Sequence, residues 1–155
     1  MTAPSFRRIA VAIDGSPRAA EALDYAIDLA RRYGSDLTVV GVAPLIPVYI
    51  APTEPMIPAT MPVSELGRYR EIIGQAVARA KAAGVTSVTG VAYEGVVVDE
   101  LLTHLEKHAS DLLVVGSRGL STAKRILLGS VSSAVVANAP CPVLVVRSSV
   151  TKAGG

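Results

Sequence analysis

The sequence has no tryptophan and only six aromatic residues, five Tyr and one Phe, in 155 positions. A single-stranded nucleic-acid platform needs exposed rings for base stacking, and this chain has few to offer. Its core must come from Ala, Val, Leu and Ile instead. Charge of one sign is also scarce: 15 basic residues against 13 acidic ones leave a net charge of +2. The basic residues are scattered rather than gathered in a stripe, which further disfavours DNA or RNA as a partner. The single Cys141 cannot form an internal disulfide, and between Pro140 and Pro142 it reads as a small buried filler. No run approaches the roughly 20 apolar residues needed to span a bilayer. The opening MTAPSFRRIAVAID lacks an apolar stretch followed by a small-residue cleavage site. The expectation is a cytoplasmic domain with no membrane and no nucleic acid among its partners. Two familiar nucleotide loops are missing as well. There is no GxxxxGK[ST], which excludes a P-loop NTPase, and the first strand leads into DGSPRA rather than GxGxxG.

What remains is a chain that is 50% apolar and long enough for one domain, read as residues 1–155. IAVAID (Ile9 to Asp14) is a short apolar run that reads as a buried strand. Ser16 as N-cap and Pro17 at the first helical position then start a helix, and Gly34 stops it. LTVVGV (Leu37 to Val42) is the second strand, Val88 to Ala92 a weaker third, LLVVG (Leu112 to Gly116) the fourth and PVLVV (Pro142 to Val146) the fifth. Helices are expected from Ser64 to about Ala83, from about Val97, and from Ser130 to Asn138. Strands apolar on both faces that alternate with helices give a parallel sheet covered on both sides. With right-handed crossovers this is a doubly wound α/β fold, Rossmann-like. Its ligands belong beyond the carboxyl ends of the strands. The stretch from Pro44 to Pro62 holds six prolines and reads as a flexible loop leaving that edge, either a flap over the site or a segment used in self-association. Residues 148–155 are expected to form a flexible tail.

After the fourth strand the chain reads Gly116-x2-Gly119-x9-Gly129-Ser130. Glycines there let backbone N–H groups approach a ligand with no Cβ in the way. Ser130 opens a helix whose first N–H groups are unpaired and whose dipole is positive. Three glycines at this edge, followed by Ser, favour a phosphate site over a tight turn with an ordinary N-cap. Asp14, before Gly15-Ser16-Pro17, reads equally well as a turn residue and as a ligand. Lys124 and Arg125 are ordinary solvated loop cations on this reading. His104 and His108, four apart on one helix, have metal-ligand spacing, yet an exposed helical pair is the better reading. Ser16 has no evident His partner that would make it a nucleophile.

IAVAIDGS, VVGSRG and LLGSVSSAVVANAPCPVLVV together resemble the universal stress protein family over essentially the whole chain, and G-x2-G-x9-G-[ST] is the mark of its ATP-binding members. The resemblance implies a five-stranded parallel sheet of order 3-2-1-4-5, with helices on both faces and a nucleotide at the carboxyl edge, as in the adenine nucleotide alpha hydrolase-like fold. It implies ATP as ligand, alone or with Mg2+. Asp14 would meet its ribose or adenine end, Ala12 and Ile13 would line the base pocket, and Val42 would offer backbone groups to the adenine edge. Val115 and Gly116 would flank base and ribose. Gly119, Gly129, Ser130 and Val131 would hold the phosphates, joined by Ser132. Arg118, where members vary, would screen the triphosphate. The family commonly dimerises through the fifth strand, so a homodimer through Val143 to Val146 is expected, since an apolar edge is otherwise an aggregation liability.

The function so read is that of an ATP-binding regulatory protein of the stress response. No base is placed to activate water and no paired metal carboxylates can be assigned, so hydrolysis should be slow or absent. The alternatives are a weak ATPase or nucleotide-modifying enzyme, a cyclic AMP-binding protein, and a dimer module that uses no nucleotide. The client protein is unknown.

Overall fold

A computed structural model of the chain describes residues 5–45, 64–117 and 129–147. Gly119, Arg118, Lys124, Arg125, most of the proline-rich stretch and the 148–155 tail lie outside the described residues. The elements run β1 (Arg8–Ala12), α1 (Pro17–Tyr33), β2 (Asp36–Pro44), α2 (Leu66–Ala82), β3 (Val88–Gly95), α3 (Val97–Lys107), β4 (Leu112–Gly116), α4 (Ser130–Asn138) and β5 (Val143–Val146). All pairings are parallel, in the order β3-β2-β1-β4-β5. This is the doubly wound sheet expected from the sequence.

The two-residue period of the strands sorts their side chains into two cores. Ile9, Val11, Leu37, Val39, Leu112 and Val114 face one side, where Leu23, Ala26 and Ala30 of α1 and Ile73, Ala76 and Ala80 of α2 cover them. Ala10, Val40, Val42, Leu113 and Val115 face the other side, under Leu101 and Leu105 of α3 and Val135 of α4. Helices that follow strands moving one way along the sheet thus share a face, as right-handed crossovers require.

The helix ends obey local chemistry. Ser16 Oγ accepts from the Ala19 N–H at 3.2 Å, Pro17 occupies the first turn, and Gly34 closes α1 in the left-handed region at φ 64°. Helix α2 starts slightly later than the Ser64 cap predicts. Glu65 takes the cap position without a side-chain bond, while Ser64 Oγ accepts from the Leu66 N–H at 3.3 Å. The close seating of α2 depends on two glycines that lie on neighbouring strands and face it. A Cβ on Gly90 would stand 2.3 Å from Ile73 Cγ2, and one on Gly41 would stand 2.8 Å from Ile73 Cδ1 and 3.1 Å from Tyr69 Cδ1. The absent side chains are what let Ile73 and Tyr69 rest on the sheet.

Helix α3 corrects one expectation. His104 is not part of an exposed pair: only 3% of it is accessible, while His108 is exposed. The reason is its place on the helix, three residues after Leu101 and one before Leu105, which carries it into the apolar face. Its Nδ1 meets the Tyr93 hydroxyl of β3 at 2.7 Å, its Nε2 has no protein partner, and the His108 ring lies 4.3 Å away, centroid to centroid. Burial, assisted by His108, holds the His104 pKa down to about 4. An unfolded chain protonates the same ring near 6.5, so between those values the unfolded state carries the extra proton. Stability therefore falls as pH falls from about 6.5 to about 4, by about 3 kcal/mol in total. Urea denaturation across this pH range should give that slope, and His104→Leu should flatten it. An unchanged slope in the variant would show that other groups carry the acid sensitivity.

Candidate functional site

The carboxyl ends of β1 and β4 lie side by side at the point where the chain turns to opposite faces of the sheet, and a cleft of about 740 Å³ opens there. That volume suits a ligand of nucleotide size. The strand ends supply Ala12, Ile13, Val42, Val115 and Gly116 to its lining, the turn after β1 supplies Asp14, and the start of α4 supplies Gly129, Ser130, Val131 and Ser132. Ten of the eleven expected site residues are thus gathered in one place, and the eleventh, Gly119, lies outside the described residues.

The cleft has an apolar and a polar half. Val40, Val42 and Val115 form a wall with Val97 and Leu101 of α3, the kind of surface that takes a planar base. Tyr69 of α2 joins the lining, and burial together with the Asp14 carboxylate raises its phenol pKa. The polar groups of the lining are Asp14, Ser16, Arg18, Ser130 and Ser132. Asp14 sits two residues past the end of β1 rather than closing it, although the Ile13 N–H still donates to Val40 O at 2.9 Å. Its Oδ1 accepts from the Ser16 N–H at 2.9 Å, so the turn reading of Asp14 holds in the structure. A carboxylate can accept several hydrogen bonds across its two oxygens, and the turn does not exhaust it.

The two helix starts at the cleft differ. At α1, Pro17 has no N–H and Ser16 satisfies the Ala19 N–H. At α4, Gly129 caps without a side-chain bond. The N–H groups of Ser130, Val131 and Ser132 therefore meet no carbonyl within their own helix. They carry the positive end of the dipole into the cleft, an arrangement suited to phosphate. The approach to this helix is closed off by hydrogen bonds. The Gly129 N–H donates to Ser117 O at 2.9 Å, and Ser132 Oγ donates to Gly116 O at 2.8 Å. The Ser132 hydroxyl thus spends its proton on the loop ends.

Ser16, Arg18, Val40, Tyr69, Val97 and Leu101 line the cleft but are absent from the sequence-derived site. Val97 and Leu101 lie on the apolar face of α3, the helix expected from about Val97. Tyr69 and Arg18 carried no local signal, because helix crossings bring them in. Gly116 also proves to have a second task. A Cβ there would meet Arg18 O at 3.1 Å, Arg18 C at 3.2 Å and Arg18 Cβ at 3.3 Å, so the bare glycine lets α1 lie against the end of β4.

Comparison with known proteins agrees with this geometry. The universal stress protein family model matches residues 5–147. Universal stress protein YxiE of Bacillus subtilis is 35% identical over 150 residues, covering 92% of this chain and 99% of that one. Among solved structures, universal stress protein UspA from Lactobacillus plantarum superposes with a TM-score of 0.77 at 25% identity, over 92% and 99% of the two chains. A universal stress protein solved in complex with cAMP gives 0.69 at 29% identity, over 92% and 97%. The fold and cleft define a doubly wound parallel α/β domain with an open cleft at the carboxyl edge of its sheet. The chain belongs to the universal stress protein family.

Gly116→Ala should lower stability by about 1 kcal/mol, because the methyl meets helix backbone that cannot swing aside as a side-chain tip would. Urea denaturation measures this, and a variant as stable as the parent would mean that the first turn of α1 yields freely.

Proposed function

We propose that this chain binds an adenine nucleotide, with ATP as the principal ligand, alone or with Mg2+, and acts as a regulatory protein of the stress response. Occupancy would bias its shape or its choice of partner. The observation that carries the reading is the open N-terminus of α4 at a cleft that is also lined by an aliphatic wall. The base would lie against Val40, Val42 and Val115, the sugar near Asp14, and the phosphates on the N–H groups of Ser130 and Val131. Any Mg2+ would ride on the phosphates, since no group of three or more His, Cys, Asp or Glu side chains forms a metal cluster among the described residues. Turnover would be slow. Asp14 is the one carboxylate among the described cleft residues, and one of its oxygens is engaged by Ser16. Fast phosphoryl transfer needs a positioned nucleophile and more charge stabilisation than this.

A second reading, cyclic AMP as ligand, draws support from the relative solved with cAMP. Both readings are tested by denaturing the purified protein, identifying any released nucleotide, and titrating ATP and cAMP against thermal unfolding. A ligand at 100 times its Kd should raise Tm by about 5–10 °C. If no nucleotide co-purifies and neither compound moves Tm, the binding reading fails. Turnover of bound ATP well above background would point to the enzyme alternative.

The same reading includes a homodimer. β5 is an edge strand whose Val143, Leu144 and Val145 are only half-buried, and Val136 of the adjoining α4 is exposed. Pairing β5 with its copy would cover this edge. Val143→Lys should convert a dimer to a monomer in sedimentation velocity, and a wild-type protein that sediments as a monomer at micromolar concentration overturns the assignment.

A further inference from the structure

Two charged side chains line the cleft among the described residues, Asp14 and Arg18, and the glycine motif contains neither. Arg18 is held at both ends. Its backbone packs against Gly116, where a Cβ would stand 3.1–3.3 Å away. Its guanidinium Nη1 donates to Ser117 Oγ at 3.2 Å. Ser117 is only 5% exposed, and its carbonyl accepts the Gly129 N–H at the foot of α4. The Arg18 side chain is therefore anchored to the base of the same helix whose N-terminus faces the cleft.

This guanidinium is under-used. It has five N–H donors and a full charge, and a single bond to a neutral hydroxyl engages one of them. No carboxylate of the described residues lies within ion-pair distance of it; the three ion pairs are Arg32–Asp28, Arg68–Glu65 and Arg79–Asp24. A half-buried cation without a counter-charge, set beside unpaired N–H groups and a helix dipole of the same sign, makes a field complementary to an anion. Asp14, four residues earlier in the turn that precedes α1, has the opposite preference. It attracts hydroxyl donors and repels phosphate.

Resting on the nucleotide reading above, we propose that Arg18 is the residue through which this cleft reads ligand charge, favouring phosphorylated adenine compounds over the uncharged nucleoside. The turn after β1 and the first turn of α1 then sort the two halves of the ligand: hydroxyls go toward Asp14 and phosphate oxygens toward Arg18 and α4. The planar fork of arginine engages two phosphate oxygens at once, which a lysine at this position cannot do.

The test is calorimetric titration of adenosine, AMP and ATP into the full chain, as wild type, as Arg18→Gln and as Arg18→Met. The second variant keeps the aliphatic stem that packs beside Gly116, so it guards against a loss of fold in the first. The expected result is a wild type that prefers ATP to adenosine. Both variants should weaken ATP by about 10- to 100-fold, AMP by less, and leave adenosine within about twofold. If the variants keep the wild-type ratio of ATP to adenosine affinity, or lose both ligands equally, Arg18 does not read charge and the proposal is overturned while the site stands. If the wild type binds neither adenosine nor ATP, the nucleotide reading itself has failed.

Discussion

Two consecutive carbonyl groups, those of Gly116 and Ser117, hold the cleft together. The first accepts the Ser132 hydroxyl and the second accepts the Gly129 N–H. Between them they join the end of β4 to the start of α4, although eleven residues of chain, 118–128, separate the two ends. Packing of Val135 in the second core seats the body of α4, and this join ties its N-terminal turn to the end of β4. The buried Ser132 makes the join specific, because a hydroxyl there finds both carbonyls within reach, at 2.8 and 3.4 Å. The same serine was expected to join the phosphate contacts, and its proton goes to the carbonyls at the end of β4.

The division of labour between the faces follows from strand period. Gly116 shares the face of Leu112 and Val114, toward α1, while Val115 faces α3 and α4. One residue step at the end of β4 therefore sends a backbone approach to one helix and an apolar side chain to the aliphatic wall of the cleft. The site lies where the two cores meet the sheet edge, and it borrows from both. Tyr69 reaches it only because Gly41 and Gly90 let α2 lie close to the strands, so two glycines far outside any motif help shape the cleft.

Much of this was legible in the residues. Short aliphatic runs bounded by turn residues gave β4 and α4 with the bounds the structure has, and Ser16-Pro17 and Gly34 marked the ends of α1 because capping is local chemistry. The doubly wound class followed from alternating strands and helices with right-handed crossovers, and the strand order from the resemblance. What escaped was whatever depends on distance between elements. Arg18 and Ser117 are 99 positions apart, and no periodicity relates them. Tyr69 looks like any apolar residue of an amphipathic helix until the register of β2 sets Gly41 beneath it. His104 was a different kind of miss. Its spacing to His108 drew attention to metal chemistry, whereas its spacing to Leu101 already placed it in the core.

A regulatory protein needs its ligand to alter something beyond the site, which requires contacts that run from the site to a surface. Here one chain of hydrogen bonds from the cleft to the sheet edge passes through Ser117. Its side chain accepts from Arg18, its carbonyl holds Gly129, and its own N–H donates to Val146 O at 2.9 Å, at the end of the edge strand β5. One buried residue thus bonds to the cleft cation, to the helix whose N-terminus lines the cleft and to the strand through which a second copy would pair. A ligand that drew the guanidinium off Ser117 would change the hydrogen bonding of a residue that also supports β5. The two halves of the functional reading, nucleotide in the cleft and a partner at the edge, therefore meet physically at one serine.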